Sequence, residues 1–582
     1  MPITLVTLAI ILFAWGFAAL TFTGLGLLAN RRWGSRTPSA QLILDSFWIG
    51  WAVVIAGLQI WHLFLPVRWY AFVVFALPAF AGIVIEWPAL RRLLAEARPP
   101  AMPTLFAAGA ALGAAALAYR SIVSPMPYDL GFYHWQSVRW ATAYPIIPGL
   151  GNLFRAYGLN SSHFLYAGLF EAGPLAGHSP TVVNGLFVLA FAMQGLRSGW
   201  RLVRGGRVQG RDVFALLLIP GAVDVAMRRE LILSPDLLVW VLGAVIAIRL
   251  FEVLDDAVRG RQIAAHNVFF IAAIAAAGVT VKLSFAVVGA IALAIAAAVW
   301  IWQNRDRLAE LRRGLWQIAL AGLALLVPWM VRGVILTGYP AFPVPALSVP
   351  VDWRVPREEV VLYVETLRAW ERQPGYPVEE VLAGWGWLQP WLESRLYNEP
   401  RISHVAPLAI GLLGVLAALA GRVMVDRAAR PAALIWLVLL PPLLNLPYWF
   451  LSAPAPRHLG ATLWWLMAGS VTLALCPLLR RRTRLAVIFV AVLCAALTGF
   501  AAQPFSLSEL HAGMSLPAVP EPELRSYTTS SGLELWVPAS GDQCWDAPLP
   551  CTPRPLEGIR LRGSDLAGGF VLDSSDPGAA VP

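Results

Sequence analysis

Twelve apolar runs, each about the length that crosses the hydrocarbon of a bilayer as a helix, are spaced along this chain and constrain its fold more than any other feature. They fall near residues 3–29, 44–65, 69–89, 104–121, 180–198, 233–251, 283–302, 315–337, 405–421, 432–451, 458–477 and 484–501. Two shorter segments, 212–227 and 265–280, bring the expected total to about fourteen. A chain of 582 residues that is 58% hydrophobic and only 13% charged cannot hide that much apolar surface in one water-soluble core. The expected fold is therefore an all-α polytopic membrane protein of about fourteen transmembrane helices.

The net charge of +10 invites a nucleic-acid reading, but its distribution argues against one. Arginines cluster in every second loop: Arg31, Arg32 and Arg36; Arg91, Arg92 and Arg98; Arg201, Arg204, Arg207 and Arg211; Arg259 and Arg261; Arg305, Arg307, Arg312 and Arg313; Arg422, Arg427 and Arg430; then Arg480, Arg481, Arg482 and Arg484. That alternation is the positive-inside pattern, which puts those loops in the cytoplasm. Loops 122–179 and 338–404 and the tail 502–582 are then outside. No basic face remains for nucleic acid, and the bilayer is the expected partner. The first apolar run has its arginines behind it and no small-residue cleavage site, so it reads as an uncleaved anchor with its N-terminus outside.

Three regions follow: N-terminal helices over 1–103, a transmembrane core with its outer loops over 104–501, and a small β-containing appendage over 502–582. Loop 122–179 is too long for a simple connection. Loop 338–404 carries amphipathic runs at 357–372 and 378–396, which suit helices lying on the surface. In the tail, short alternating runs at 533–537 and 559–562 suit strands. Cys476 and Cys494 fall in apolar helices, whereas Cys544 and Cys551 sit seven apart in a Pro- and Asp-containing stretch on the outer side, where a disulfide persists. The sequence contains no internal repeat, P-loop, dinucleotide fingerprint or HExxH motif.

Chemistry-bearing residues gather at the outer helix ends. Asp129 follows the apolar helix ending near Tyr119, at the membrane–water boundary, where ionisable groups often mark a site. It suits either an N-cap for a helix starting near Gly131 or a general base for an acceptor hydroxyl. His134 is five positions on, a poor spacing for one helical face, and reads as a substrate contact or an interfacial histidine; Arg139 follows as a further contact. Lys282, the only lysine in the chain, stands between two apolar runs and suits phosphate as a point charge, or snorkels at the interface. Arg457 and His458 follow a Pro-Ala-Pro entry at a late helix mouth. Asp236, in a Ser-Pro-Asp helix start, reads as a substrate contact or a cap.

This order of elements resembles the C-type (GT-C) superfamily of integral-membrane glycosyltransferases, in an uncharacterised bacterial branch. An outer carboxylate loop follows an early helix and runs from Tyr128 and Asp129 to Asn160, Ser161 and Ser162. A Pro-Asp helix start and an inter-helix lysine come next. The segment from Pro328 to Arg332 then leads into residues 337–343, and a late Pro-Arg-His stands at a helix mouth. The resemblance covers roughly 104–460 and implies sugar transfer from a polyprenyl-phosphate-linked donor to a glycan, lipid or protein acceptor at the outer face of a bacterial inner membrane. It makes Asp129 the residue that activates the acceptor, and Lys282 and Arg457 the holders of phosphate. The chain departs from the pattern in having about three helices ahead of the one before Asp129, and one acid where many members have two. That leaves a divalent metal open and implies no other cofactor. A transporter or flippase for a lipid-linked or amphiphilic solute, with a broken helix near Pro220 and Gly221, and a non-catalytic scaffold for envelope assembly are the alternatives.

Overall fold

A computed structural model of the chain describes residues 3–33, 40–96, 102–203, 208–227, 231–397, 402–424, 432–481, 483–501 and 515–572. Arg36, Arg98, Arg204, Arg207, Arg427, Arg430 and Arg482 of the arginine clusters, and tail residues 502–514 and 573–582, lie outside the described residues. Among the described residues, 11 helices are long and apolar enough to cross a membrane, and the protein is a multi-pass membrane protein.

These 11 correspond to eleven of the twelve long apolar runs. The twelfth appears as the shorter apolar helix Ala107–Val123, beside the equally short Ala265–Val281. The run at 212–227 does not form one helix. It divides into Gly210–Leu217 and Ile219–Met227, because Pro220 supplies no N–H to a continuing ladder and suits the first turn of a new helix.

Burial orders the bundle. The helix Pro235–Val258 has 94% of its apolar window inside the protein, whereas Trp69–Arg92 has 11%, so the first forms the axis and the second faces lipid. Ile3–Trp33 and Ala40–Trp61 approach backbone to backbone at glycine: a Cβ on Gly26 would meet the Ser46 carbonyl oxygen at 1.8 Å, and one on Gly50 would meet that of Phe22 at 1.7 Å. Small residues at such crossings let helices pack without a hydrophobic drive between them. Far along the central helix, a buried ion pair joins Arg249 to Asp45, with side chains 6% and 5% exposed. His266 Nε2 stands 3.3 Å from the same carboxylate.

The three polar parts lie together at one end. Loop 122–179 meets loop 338–404 through Arg155 Nη2, which donates to Glu359 Oε2 at 3.1 Å, and Asn152 Nδ2, which donates to the Trp353 carbonyl at 2.8 Å. Loop 338–404 forms the surface helix Arg357–Arg372 and two shorter ones, Val378–Leu382 and Leu388–Tyr397. The tail holds two antiparallel hairpins: β1 (Leu524–Thr528) with β2 (Glu534–Pro538), and β3 (Ile559–Leu561) with β4 (Phe570–Leu572).

Cys544 and Cys551 form the disulfide expected from their placement, and both are fully buried. Closing so short a loop removes unfolded-state freedom worth about 2–3 kcal/mol. Replacing both cysteines with serine is expected to lower the stability of the tail by about that much, and alkylation of the unmodified protein is expected only after a reductant is added. Mass spectrometry of the folded protein, with and without reductant, reads this directly. Free labelling of both thiols without reductant would show that the bond is not formed in the folded protein.

Candidate functional site

The helix that carries Asp129 starts after Pro125 and Pro127 and passes at once into a π-helical turn, Leu130–His134, closed by the Trp135 N–H on the Leu130 carbonyl. Such single wide turns recur at functional sites. The wider turn brings residues five apart onto one side, so the spacing argument that separated His134 from Asp129 fails here. Asp129 makes no capping bond. Its Oδ2 instead accepts from Arg457 Nη1 at 3.1 Å, which makes it a partner of the late cation rather than a helix cap.

Arg457 lies in the short turn Pro456–Leu459, fixed by the prolines before it. Its second amino group, Nη2, donates to Glu371 Oε1 at 2.6 Å, so one guanidinium bridges two carboxylates from distant parts of the chain. Glu371 is near the end of the surface helix Arg357–Arg372, and its side chain is only 7% exposed. His458 Nε2 stands 3.7 Å from the same Glu371 oxygen. Burial, with Lys282 and Arg457 beside it, holds His458 well below the usual histidine range, so it is a neutral neighbour and not a third cation.

Lys282 interrupts two helices in an extended conformation, φ −153° and ψ 122°, between Ala265–Val281 and the turn Leu283–Phe285. Its Nζ donates to Asp236 Oδ1, a closed ion pair. Asp236 is not the cap of its helix. Ser234 takes that role, accepting from the Asp236 N–H at 3.2 Å, which leaves the Asp236 carboxylate for Lys282. Three carboxylates, Asp129, Asp236 and Glu371, thus face two cations, Arg457 and Lys282. Burial works against the Arg457 charge, but Glu371, Asp129 and Asp236 outweigh it and raise its pKa above the ordinary value.

His134 is 3% exposed, and its Nδ1 stands 3.2 Å from the Leu233 carbonyl. That contact makes Nδ1 the protonated nitrogen and leaves Nε2 as the acceptor. Burial, opposed by Asp129 and Asp236, depresses its pKa to about 4. Below about 6.5, the unfolded chain takes up a proton that folded His134 refuses. Stability is therefore expected to fall as the pH drops from about 6.5 to about 4, by at most about 3 kcal/mol from this group, and then to level off. Thermal unfolding against pH checks this. His134→Gln should flatten the decline, and an unchanged slope would assign it to other groups.

Arg139, grouped with these residues by sequence, lies elsewhere. Its Nη1 donates to Asp546 Oδ1 at 2.9 Å and to the Asp546 and Ala547 carbonyls at 2.6 and 2.5 Å. It is one of several groups that fasten the disulfide loop onto the Asp129 helix. Trp135 Nε1 donates to Asp546 Oδ1 at 2.8 Å, Gln136 Nε2 to the Trp545 and Ala547 carbonyls, both at 2.9 Å, and the Trp545 N–H to the Gly131 carbonyl at 3.1 Å. A Cβ on Gly131 would meet the Trp545 ring at 2.5 Å, so glycine is required for this close approach. These bonds make the tail a brace behind the helix that carries Asp129.

Glu371 escaped sequence reasoning because it sits among other charges of an amphipathic helix, where a solvated face is the ordinary reading. Tyr133 and Tyr363 also border the cluster; burial first, then the Asp129 charge, raises the pKa of each. The cavity beside His458, lined also by Val239, Ser284 and Asn445, holds only about 10 Å³. Among the described residues, no group of three or more His, Cys, Asp or Glu is placed to hold a metal ion.

A family model described as a domain of unknown function (DUF8201) matches residues 8–464. No curated protein and no solved structure matches the chain.

Proposed function

We propose that this chain, which belongs to the DUF8201 family, is a membrane glycosyltransferase that moves a sugar from a polyprenyl-phosphate-linked donor to an envelope acceptor. The observation that carries the reading is the convergence of Asp129, Asp236, Lys282, Glu371 and Arg457, spread over more than 300 positions of sequence, in one cluster at the polar end of the bundle. Breaking a glycosyl phosphate needs the leaving charge stabilised and an acceptor proton removed. Two fixed cations and a carboxylate meet that need, and a prenyl chain suits the bilayer beside them.

The closed ion pairs suggest an order of events. A donor phosphate that takes Arg457 as its partner competes with Asp129 for the guanidinium. Asp129 is then released beside the bound donor, free to accept the proton of the acceptor hydroxyl. Donor binding would thus prepare the base. The resemblance to the GT-C superfamily supports the same roles, and placement of this end outside a bacterial inner membrane belongs to the proposal.

Purified protein supplied with radiolabelled polyprenyl-phosphate sugar and a cell-envelope extract should release polyprenyl phosphate. Cysteine-accessibility labelling should find positions next to Asp129, Tyr376 and Trp536 on the outer side and Arg307 inside. Labelling of the Asp129 loop from the cytoplasm would remove the reading. A transporter of a lipid-linked solute is the second reading, favoured by the break between Gly210–Leu217 and Ile219–Met227, where Pro220 and Gly221 are buried. Movement of an intact labelled lipid across proteoliposomes, without release of polyprenyl phosphate, would select it.

A further inference from the structure

A second polar site lies apart from the charged cluster, around an arginine that no carboxylate neutralises. Arg332 is within the membrane-crossing helix Leu308–Thr337, five residues from its end, and is 4% exposed. Ionisable groups at such depth are costly and are retained with a partner. Its Nη1 donates to Asn160 Oδ1 at 2.7 Å, and its Nη2 stands 3.4 Å from His62 Nδ1. Both partners are neutral, and among the described residues no ion pair reaches it. Among the described residues its Nε has no hydrogen-bond partner.

Arg332 lines a cavity of about 30 Å³ together with His62, Ser137, Trp140, Tyr157 and Asn160. One further lining nitrogen, Trp140 Nε1, is buried without a hydrogen-bond partner among the described residues. Because His62 Nδ1 faces the Arg332 donor, the ring proton is on Nε2, with the Tyr144 carbonyl beside the ring to take it. The two orphaned atoms, Arg332 Nε and Trp140 Nε1, are both N–H donors. Among the lining side chains, Asn160 Oδ1 accepts from Arg332, and the Tyr157 and Ser137 hydroxyls donate to the Cys551 and Tyr133 carbonyls, so only their remaining lone pairs face a guest.

Water could donate to those lone pairs but would leave the Arg332 charge without a counter-ion. An anion accepts from every donor and cancels the Arg332 charge. The volume admits about two waters, which is room for one compact ion and excludes a sugar or a phosphate ester. We infer that this cavity is a binding site for a single small monovalent anion of the halide class, with Arg332 as its counter-charge.

The site joins two segments that the Asp129 loop depends on. Asn160 Nδ2 donates to the Trp329 carbonyl at 2.6 Å and Trp329 Nε1 returns a bond to the Asn160 carbonyl at 2.7 Å, so loop 122–179 is bonded here to the helix that carries Arg332. An ion held by Arg332 and Trp140 would fasten the loop to that helix.

The test uses purified full-length protein in detergent, exchanged into sodium gluconate and titrated with chloride or bromide at constant ionic strength while thermal unfolding is followed. Both halides should raise Tm saturably by about 2–5 °C, and gluconate should not. Arg332→Met should abolish the response. Trp140→Phe, a milder change, should weaken the apparent affinity several-fold and decides the matter if Arg332→Met does not fold. Bromide anomalous scattering beside Arg332 would place the ion. Equal behaviour in gluconate and halide would mean the cavity holds water, and an unaltered halide response in Trp140→Phe would put the effect elsewhere; either result overturns the inference.

Discussion

Asp129→Asn is expected to reduce sugar transfer by about 10²–10⁴-fold, the usual loss when a general base can no longer take a proton. The amide keeps the size of the side chain and still offers an oxygen to Arg457 Nη1, the contact made at 3.1 Å in the resting protein. Donor binding should be nearly unchanged, or somewhat stronger, because a neutral amide competes less with phosphate for the guanidinium. The measurement is the rate of polyprenyl-phosphate release alongside equilibrium binding of the labelled donor. A fall in both together would mean that Asp129 serves only to hold Arg457. Transfer at the unmodified rate would leave His134 Nε2 or Glu371 as the base, and Asp129 would lose its catalytic assignment.

The apolar scaffold was legible because membrane crossing needs only length and hydropathy, and both are written into consecutive residues. Eleven long windows became helices of crossing length among the described residues for that reason. The run at 212–227 failed where a proline outweighed hydropathy. Asp129, Lys282 and Arg457 stood out because each is a charge beside an apolar run, and the structure brings their surroundings into one cluster. What stayed hidden depends on contacts far apart in sequence. Glu371 looked like one charge of a solvated helix face until Arg457, 86 positions on, came to meet it. The π-helical turn at Leu130–His134 carries no composition signal, and it undid the spacing argument about His134. Arg139 looked like part of the site because it is near Asp129 in sequence, yet its partner is Asp546, 407 positions away.

Arg457→Ala should be the more damaging change to donor recognition. It leaves Asp129 and Glu371 facing each other across the space of the lost guanidinium, and it removes the cation proposed to take the phosphate. Truncating one member of a buried charge pair typically costs about 2–5 kcal/mol. The Arg457 side chain is 40% exposed, so solvent screening puts the expectation at the lower end. About 2 kcal/mol corresponds to a loss of roughly 30-fold in donor affinity. Turnover should fall as well, because the phosphate is charged in both the ground and transition states. Arg457→Lys should recover only part of this, since an ammonium reaches one carboxylate where the guanidinium fork spans two. The double variant Arg457→Met with Glu371→Gln removes the repulsion along with the cation, so it should regain thermal stability without regaining donor binding. Binding that returned with stability would make Arg457 a purely structural tie between Asp129 and Glu371, and the phosphate would have to be held by Lys282.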